Sequence, residues 1–193
     1  MKIPVMPDIA DGPIDPRDYR RSLGLFASGV AVIATEFGGA AHAMTANAVS
    51  ALSLEPPLVL FCPGKKSQLA EGLGAMQGFT INFLRADQEA LATYFAGAWR
   101  EANPPPFRLV PARCAPRLEG SLASLDCRMQ GVVDGGDHWI IVGQVMRLHR
   151  GIEPHRPLLF FKGQYRGIDE SLGIPAPDLA SVHDEPAHIY YER

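Results

Sequence analysis

The sequence predicts a mainly β protein with peripheral helices, a predominantly antiparallel β-barrel. Short apolar runs separated by glycine and proline turn signals recur along most of the chain, as is typical of barrels. Few segments show helical periodicity, and their spacing does not fit alternating βαβ units. A chain of 193 residues, 47% of them hydrophobic, is long enough for one ordinary core and too short for two comfortable ones.

The first predicted element is a helix that begins near the N-terminus. Residues 1–14 carry prolines and no periodicity, so we expect an N-terminal tail before a domain of residues 15–168. Asp15 can cap a helix whose first residue is Pro16. Apolar residues at helical spacing follow, and Gly29 is placed to stop the helix. The apolar residues are Tyr19, Leu23 and Phe26.

The following elements are mostly strands. Residues 30–35 have the pattern of a short buried strand and lead into a turn at Gly38 and Gly39. Further strands are predicted at 57–62, 79–84, 121–133, 139–148 and 157–165, and short helices at 67–76 and 87–95. After residue 168 no core pattern remains, so residues 169–193 are predicted to be a C-terminal tail, disordered or laid over a neighbouring surface.

Composition excludes several classes of function. The net charge is −3 and the densest basic cluster is Lys65–Lys66, which argues against a nucleic-acid partner. No apolar stretch approaches the roughly 20 residues of a membrane span, and residues 1–11 lack a signal-peptide core. Three cysteines without a C-x-x-C pair indicate reduced thiols. We therefore expect a cytoplasmic protein without a membrane partner.

Common catalytic and nucleotide-binding motifs are absent from the sequence. Gly72, Gly74 and Gly78 are spaced one residue too widely for a dinucleotide-binding fingerprint. The sequence has no phosphate-binding P-loop, no G-x-S-x-G nucleophile motif and no histidine or cysteine pair at zinc spacing. No metal site is predicted.

Three segments remain as candidates for a binding site. The first comprises small and hydroxyl-bearing residues that allow a ligand close to the backbone: Met44, Thr45, Ala46, Asn47 and Ala48. An ordinary polar turn is the alternative. The second follows a predicted strand and comprises Cys62, Pro63, Gly64, Lys65, Lys66 and Ser67. Lys66 can supply a charge, and Ser67 could cap a helix whose free N–H groups face an anion. The alternative is a solvated lysine pair on a turn.

The third segment is a Gly135–Gly136 turn that brings Asp137 and His138 onto an apolar strand. A neighbouring carboxylate can orient an imidazole and favour its protonated form. The alternative is a capped hairpin with an exposed histidine.

Together these segments resemble the short-chain flavin reductase family, the reductase components of two-component flavin monooxygenases. The most specific match is Gly136-Asp137-His138 with Gly143, the family's G-D-H-x-x-x-x-G signature. Further matches are Phe26, Gly29-Val30, residues 44–47, residues 53–57, Asn82 and Gln88. Residues 53–63 and 134–138 look closest to reductases that serve phenol and steroid-ring hydroxylases. Ala43 and Ala48 depart from the glycine and serine that are usual at these positions.

The resemblance implies an FMN-binding split β-barrel homodimer that binds FMN or FAD and oxidises NADH or NADPH. It implies flavin contacts at residues 44–48 and 62–67, with Asp137 and His138 on the nicotinamide side and His138 as the catalytic residue. It also implies a separate oxygenase partner that receives diffusible reduced flavin. Two alternatives stay open: a flavoprotein of this fold that reduces a corrin or quinone, and a flavin- or haem-binding module without turnover.

Overall fold

Strands dominate a computed structural model of the chain that describes residues 12–151 and 156–168. The helices are α1 (Pro16–Leu23), α2 (Gln68–Glu71) and α3 (Glu89–Phe95), the last preceded by a 3-10 turn at Ala86–Gln88. The strands are β1 (Ser28–Gly29), β2 (Ala31–Phe37), β3 (Ala40–Ala46), β4 (Val49–Leu54), β5 (Pro57–Phe61), β6 (Gly78–Phe83), β7 (Leu109–Val110), β8 (Arg117–Leu118), β9 (Ala123–Gly135), β10 (His138–Arg150), β11 (Leu159–Phe161) and β12 (Gln164–Arg166).

Seven of these strands form one antiparallel sheet, in the order β3-β2-β6-β9-β10-β5-β4. Its two edge strands, β3 and β4, are consecutive in sequence and joined by residues 47 and 48 alone. Three Cα–Cα steps reach at most about 11 Å, so the two edges of the sheet must meet at this corner. Among the described residues β3 and β4 form no ladder with each other. The sheet is therefore a barrel that is split at residues 46–49, which confirms the predicted fold class.

The core has two parts because β2 is buried on both faces. Ala31 and Ile33 belong to a cluster that contains Phe61 and Phe79, whose rings meet edge to face with centroids 4.8 Å apart. Val32, one position along the strand, points the opposite way into a second cluster below α3. The members of the second cluster are Val30, Val32, Leu84, Leu91, Ala92, Leu118 and Leu158. The continuous apolar run of β2 follows from this double burial.

The helices are shorter than the sequence predicted. Asp15 caps α1 as expected, since its carboxylate accepts a hydrogen bond from the Arg17 amide at 2.7 Å. The helix stops at Gly24 and not at Gly29, so Phe26 lies outside it. The predicted helix at 67–76 forms only over the four residues of α2, because glycines at 72 and 74 interrupt the periodicity. None of the described helices is long and apolar enough to cross a membrane.

Most predicted strands are present within a few residues of their expected bounds. The exception is 157–165, where a turn at Lys162 and Gly163, both with positive φ, divides the segment into β11 and β12. β3 and β4 were not predicted as strands. The predicted tail at 169–193, and all but the last three residues of the tail at 1–14, lie outside the described residues.

Candidate functional site

The loop of residues 62–67 and the β9–β10 hairpin lie side by side. Trp139 donates its amide N–H to the Pro63 carbonyl at 2.9 Å, and Lys65 donates to the Asp137 carbonyl at 3.0 Å. Gly64 and His138 face each other as an isolated antiparallel bridge. The loop thus continues the sheet beyond the end of β5, and two of the three predicted segments meet.

The hairpin turn presents the imidazole of His138. Gly136 occupies the turn with φ +85°, a conformation that favours glycine. The Asp134 carboxylate accepts the Gly136 amide at 2.9 Å and fixes the turn. His138 is 48% exposed, and its Nδ1 lies 2.7 Å from the Asp137 carboxylate. The hydrogen bond to His138 lowers the pKa of Asp137, so this carboxylate stays ionised and orients the ring.

The other imidazole nitrogen, Nε2, lies next to Gly64. Among the described residues, a Cβ placed on Gly64 would have only one heavy atom outside its chain neighbours within 4 Å, the His138 Nε2 at 3.8 Å. With Nδ1 held by Asp137, Nε2 remains available for a hydrogen bond to a ligand. The absence of a side chain at position 64 therefore leaves room for a flat group next to the imidazole.

The third predicted segment reaches the same place through its backbone. Met44, Thr45 and Ala46 end β3, while Asn47 and Ala48 form the corner of the split barrel. Ala48 accepts a hydrogen bond from the Cys62 amide at 3.1 Å, which joins the corner to the loop. The three segments thus form a continuous surface from the corner to His138.

Two polar side chains of residues 44–48 bond to protein groups. Thr45 donates its hydroxyl to the Ala92 carbonyl of α3 at 2.6 Å. The Asn47 side-chain amide donates to the Ser28 hydroxyl at 3.3 Å. Contacts to a ligand from these two residues would therefore use the backbone or the remaining polar atoms of the side chains.

Lys66 and Ser67 end the loop. Lys66 is exposed and makes no ion pair with a residue in the described ranges. The Ser67 hydroxyl accepts the Ala70 amide at 3.3 Å and caps α2, as predicted. Because α2 has only four residues, its dipole adds little, and the charge of Lys66 is the larger attraction for an anion.

Sequence reasoning left one residue of this region without a role. Lys65 places its ammonium 2.5 Å from the Asp134 carboxylate and 4.6 Å from the centroid of the Trp139 ring. A lysine pair on a turn gives no local signal of which side chain faces the protein. The pairing of Gly64 with His138 determines that Lys65, and not Lys66, faces the hairpin.

Two residues of the family pattern have structural roles. Asn82 is fully buried, donates to the Val32 carbonyl and accepts the Leu118 amide, each at 2.9 Å. Gln88 accepts the Arg85 amide at 2.9 Å. Both side chains hold neighbouring segments against the sheet.

Residues 23–169 match the family model described as flavin reductase like domain. The chain is 39% identical over 173 residues to the flavin-dependent monooxygenase reductase subunit HsaB of Rhodococcus jostii, covering 88% of this chain and 86% of that protein.

Solved structures of flavin reductases are also similar to this chain. The flavin reductase PheA2 superposes with a TM-score of 0.75 at 35% identity and covers 81% of this chain and 99% of its own. The NADH:FAD oxidoreductase SgcE6 of Streptomyces globisporus, in complex with NAD and FAD fragments, gives 0.72 at 31% identity, covering 84% of this chain and 100% of its own. The G-D-H-x-x-x-x-G signature, the split barrel and these matches agree: the chain belongs to the flavin reductase-like domain family.

Proposed function

We propose that this protein is an NADH-dependent flavin reductase that supplies reduced FMN or FAD to a separate monooxygenase component. The observation that carries the proposal is the meeting of three segments near the corner of the barrel, with the His138 imidazole beside Gly64 and the exposed Lys66 two residues further along the same loop. In a chain of this family, that surface offers hydrogen bonds for a ring system and a positive charge for a phosphate.

The residues present fit a flavin. Peptide groups of residues 44–48 and 62–64 can bond the polar edge of the ring, and the missing side chain at Gly64 leaves space for it. Lys66 and Ser67 would contact the phosphate. Cys62 would act by packing, since burial raises the pKa of its thiol and keeps it protonated. Bound flavin supplies the acceptor of two electrons and a proton, and NADH supplies the hydride.

His138 and Asp137 would serve the nicotinamide nucleotide. The ionised Asp137 carboxylate holds the imidazole by Nδ1, so that Nε2 can bond the carboxamide or pyrophosphate and orient the nicotinamide toward the flavin. Hydride transfer needs no protein nucleophile, which agrees with the lack of a nucleophile motif in the sequence.

Anaerobic mixing of the purified protein, free FMN or FAD and NADH tests this activity. We expect the flavin absorbance near 450 nm, its generic band, to disappear at a rate proportional to the protein concentration. A dialysis membrane then separates the reductase from the flavin-dependent oxygenase component of a two-component monooxygenase, at low oxygen. Hydroxylated product should still form, because the anchoring contacts are non-covalent. Product that forms only in a shared compartment would refute free release, and no bleaching would refute the activity.

We also propose that the protein is a homodimer in which α1 contacts the partner copy. No residue of α1 is buried, and Phe26 just beyond it is 79% exposed. An apolar groove of about 510 Å³ between β4–β5 and β10, lined by Leu54, Pro57, Met146 and Leu148 among others, is a second surface that the described residues leave uncovered. Such surfaces are unusual on monomers.

Light scattering after size exclusion should give twice the chain mass of 20.9 kDa at micromolar concentration. Phe26→Asp should shift the equilibrium toward monomer, whereas Glu36→Asp, at an exposed polar position, should not. A wild-type monomer would overturn the dimer.

We assign the protein to the cytoplasm. All three cysteines are free thiols, as expected in a reducing compartment.

A further inference from the structure

The two adjacent lysines of the 62–67 loop have different surroundings. Lys65 is only 32% exposed along its side chain and ends between the Asp134 carboxylate, at 2.5 Å, and the Trp139 ring, at 4.6 Å. Lys66 is exposed and makes no ion pair with a described residue. Their roles therefore need not be the same.

Lys65 contacts the His138 hairpin at three points. Its amide N–H bonds the Asp137 carbonyl, its ammonium bonds Asp134 on the opposite strand of the hairpin, and its charge lies over the ring of Trp139, the residue after His138. Asp134 itself bonds the Gly136 amide inside the turn. The hydrogen bonds from Lys65 and Gly136 lower the pKa of Asp134, so its carboxylate keeps its charge near neutral pH.

We propose that Lys65 is a positioning residue which, through Asp134 and Trp139, fixes the turn that presents His138 and so sets the affinity for the nicotinamide nucleotide. The proposal rests on the proposed function in that it takes His138 as the nicotinamide contact. Lys66, whose charge is uncompensated within the described residues, is then the lysine that attracts the flavin phosphate.

Electrostatics favour this division of roles. An ammonium already paired with a carboxylate and an aromatic face would lose both contacts to reach a phosphate outside the loop. Lys66 would lose no ion pair with a described residue if it contacted a phosphate. The Lys65 contacts also lie on the side of the loop that faces the hairpin, which is the nicotinamide side of the proposed site.

The test compares Lys65→Met and Asp134→Asn with Lys66→Met as the matched control. We expect the first two to raise the KM for NADH and the Kd for NAD⁺ about three- to fivefold, with the flavin Kd within about twofold of wild type. The double variant Lys65→Met/Asp134→Asn should have a smaller effect than the two single effects combined, because both single variants remove the same ion pair. Lys66→Met should raise the flavin Kd instead.

A conservative variant separates positioning from general damage to the fold. Lys65→Arg retains the charge and should restore the KM for NADH to within about twofold of wild type. Lys65→Met should also change the tryptophan fluorescence, since the cation leaves the Trp139 ring. Variants that lose both cofactors and melt at lower temperature would show a merely structural role.

Other outcomes contradict the inference in distinguishable ways. If Lys65→Met raises the flavin Kd as Lys66→Met does, while Asp134→Asn changes nothing, Lys65 is a phosphate ligand and the proposal is overturned. If the wild-type protein binds flavin and NAD⁺ but does not oxidise NADH, the proposed function fails. The effect of Lys65 on the Kd for NAD⁺ is still measured in that case, because it requires no turnover.

Discussion

His138→Ala will raise the KM for NADH about tenfold while leaving the flavin Kd nearly unchanged. The imidazole is held through Nδ1 by Asp137 at 2.7 Å, and its Nε2 lies 3.8 Å from the position that a Cβ would take on Gly64. Loss of a neutral hydrogen bond to the nicotinamide nucleotide would raise the KM about threefold. Loss of a charge-assisted bond to a carboxamide or pyrophosphate would raise it about tenfold or more. Steady-state kinetics with NADH, together with a flavin titration, measure the two effects separately.

Two controls accompany this variant. His42→Ala removes a histidine that stacks on Phe37 with ring centroids 3.7 Å apart, outside the three segments, and should leave the KM for NADH unchanged. Asp137→Asn should reproduce part of the His138→Ala effect, because it weakens the bond that orients the ring. An unchanged KM for NADH with a large rise in flavin Kd would assign His138 to the flavin.

Much of the barrel was predictable because its central strands carry their own signal. β6 and β9 are bounded by turn residues and rich in apolar or β-branched side chains, so local pattern identifies them. The β9–β10 hairpin was predictable from its glycine pair, and Gly136 does adopt positive φ. These features depend only on residues that are close together in the sequence, so the sequence alone is enough to predict them.

The edge strands could not be predicted in the same way. β3 has small residues and weak alternation, and it forms because seven register pairs join it to β2, from Ala31 with Ala46 to Phe37 with Ala40. Its partner β2 is the preceding strand of the same hairpin, across the turn at Gly38 and Gly39, so the pairing stabilises a segment whose own residues have low β propensity. The hydroxyl of Thr45 illustrates the consequence for the site: sequence patterns suggest a ligand contact, and the fold directs it to the Ala92 carbonyl.

The role of Lys65 depends on tertiary register to an even greater degree. Its partners, Asp134 and Trp139, lie about seventy residues further along the chain and approach only because Gly64 pairs with His138. No pattern within the 62–67 loop distinguishes Lys65 from Lys66. The three segments that form the site were thus predictable, but the different roles of Lys65 and Lys66 were not.

Gly143, the last residue of the G-D-H-x-x-x-x-G signature, is needed for a different reason from Gly136, Asp137 and His138. Gly143 lies in the interior of β10, where it pairs with Val59 of β5 and Met129 of β9. A Cβ at this position would lie 2.3 Å from the Phe79 Cζ and 3.1 Å from the Cys127 Cβ. Phe79 is fully buried and packs edge to face on Phe61. The glycine is therefore required by core packing, since the Phe79 ring occupies the space of its side chain.

Gly143→Ala will lower the free energy of unfolding by about 2 kcal/mol, the usual cost of an overpacked core, and Tm by about 6 °C for a chain of this size. The matched control is Gly131→Ala on the neighbouring strand β9, where a Cβ meets no described residue within 4 Å and φ is not positive. That variant should change Tm by no more than about 2 °C. A small increase is expected, because alanine reduces the entropy of the unfolded chain.

A double variant identifies the ring as the cause. Phe79→Leu alone should destabilise the core, but in the Gly143→Ala background the smaller side chain makes room for the new methyl group. We therefore expect the double variant Gly143→Ala/Phe79→Leu to be more stable than the sum of the two single effects predicts, as contacting residues couple in this way. Thermal unfolding followed by circular dichroism gives the four values of the cycle. Equal Tm changes for Gly143→Ala and Gly131→Ala, or strict additivity in the cycle, would show that the Phe79 ring does not explain this glycine.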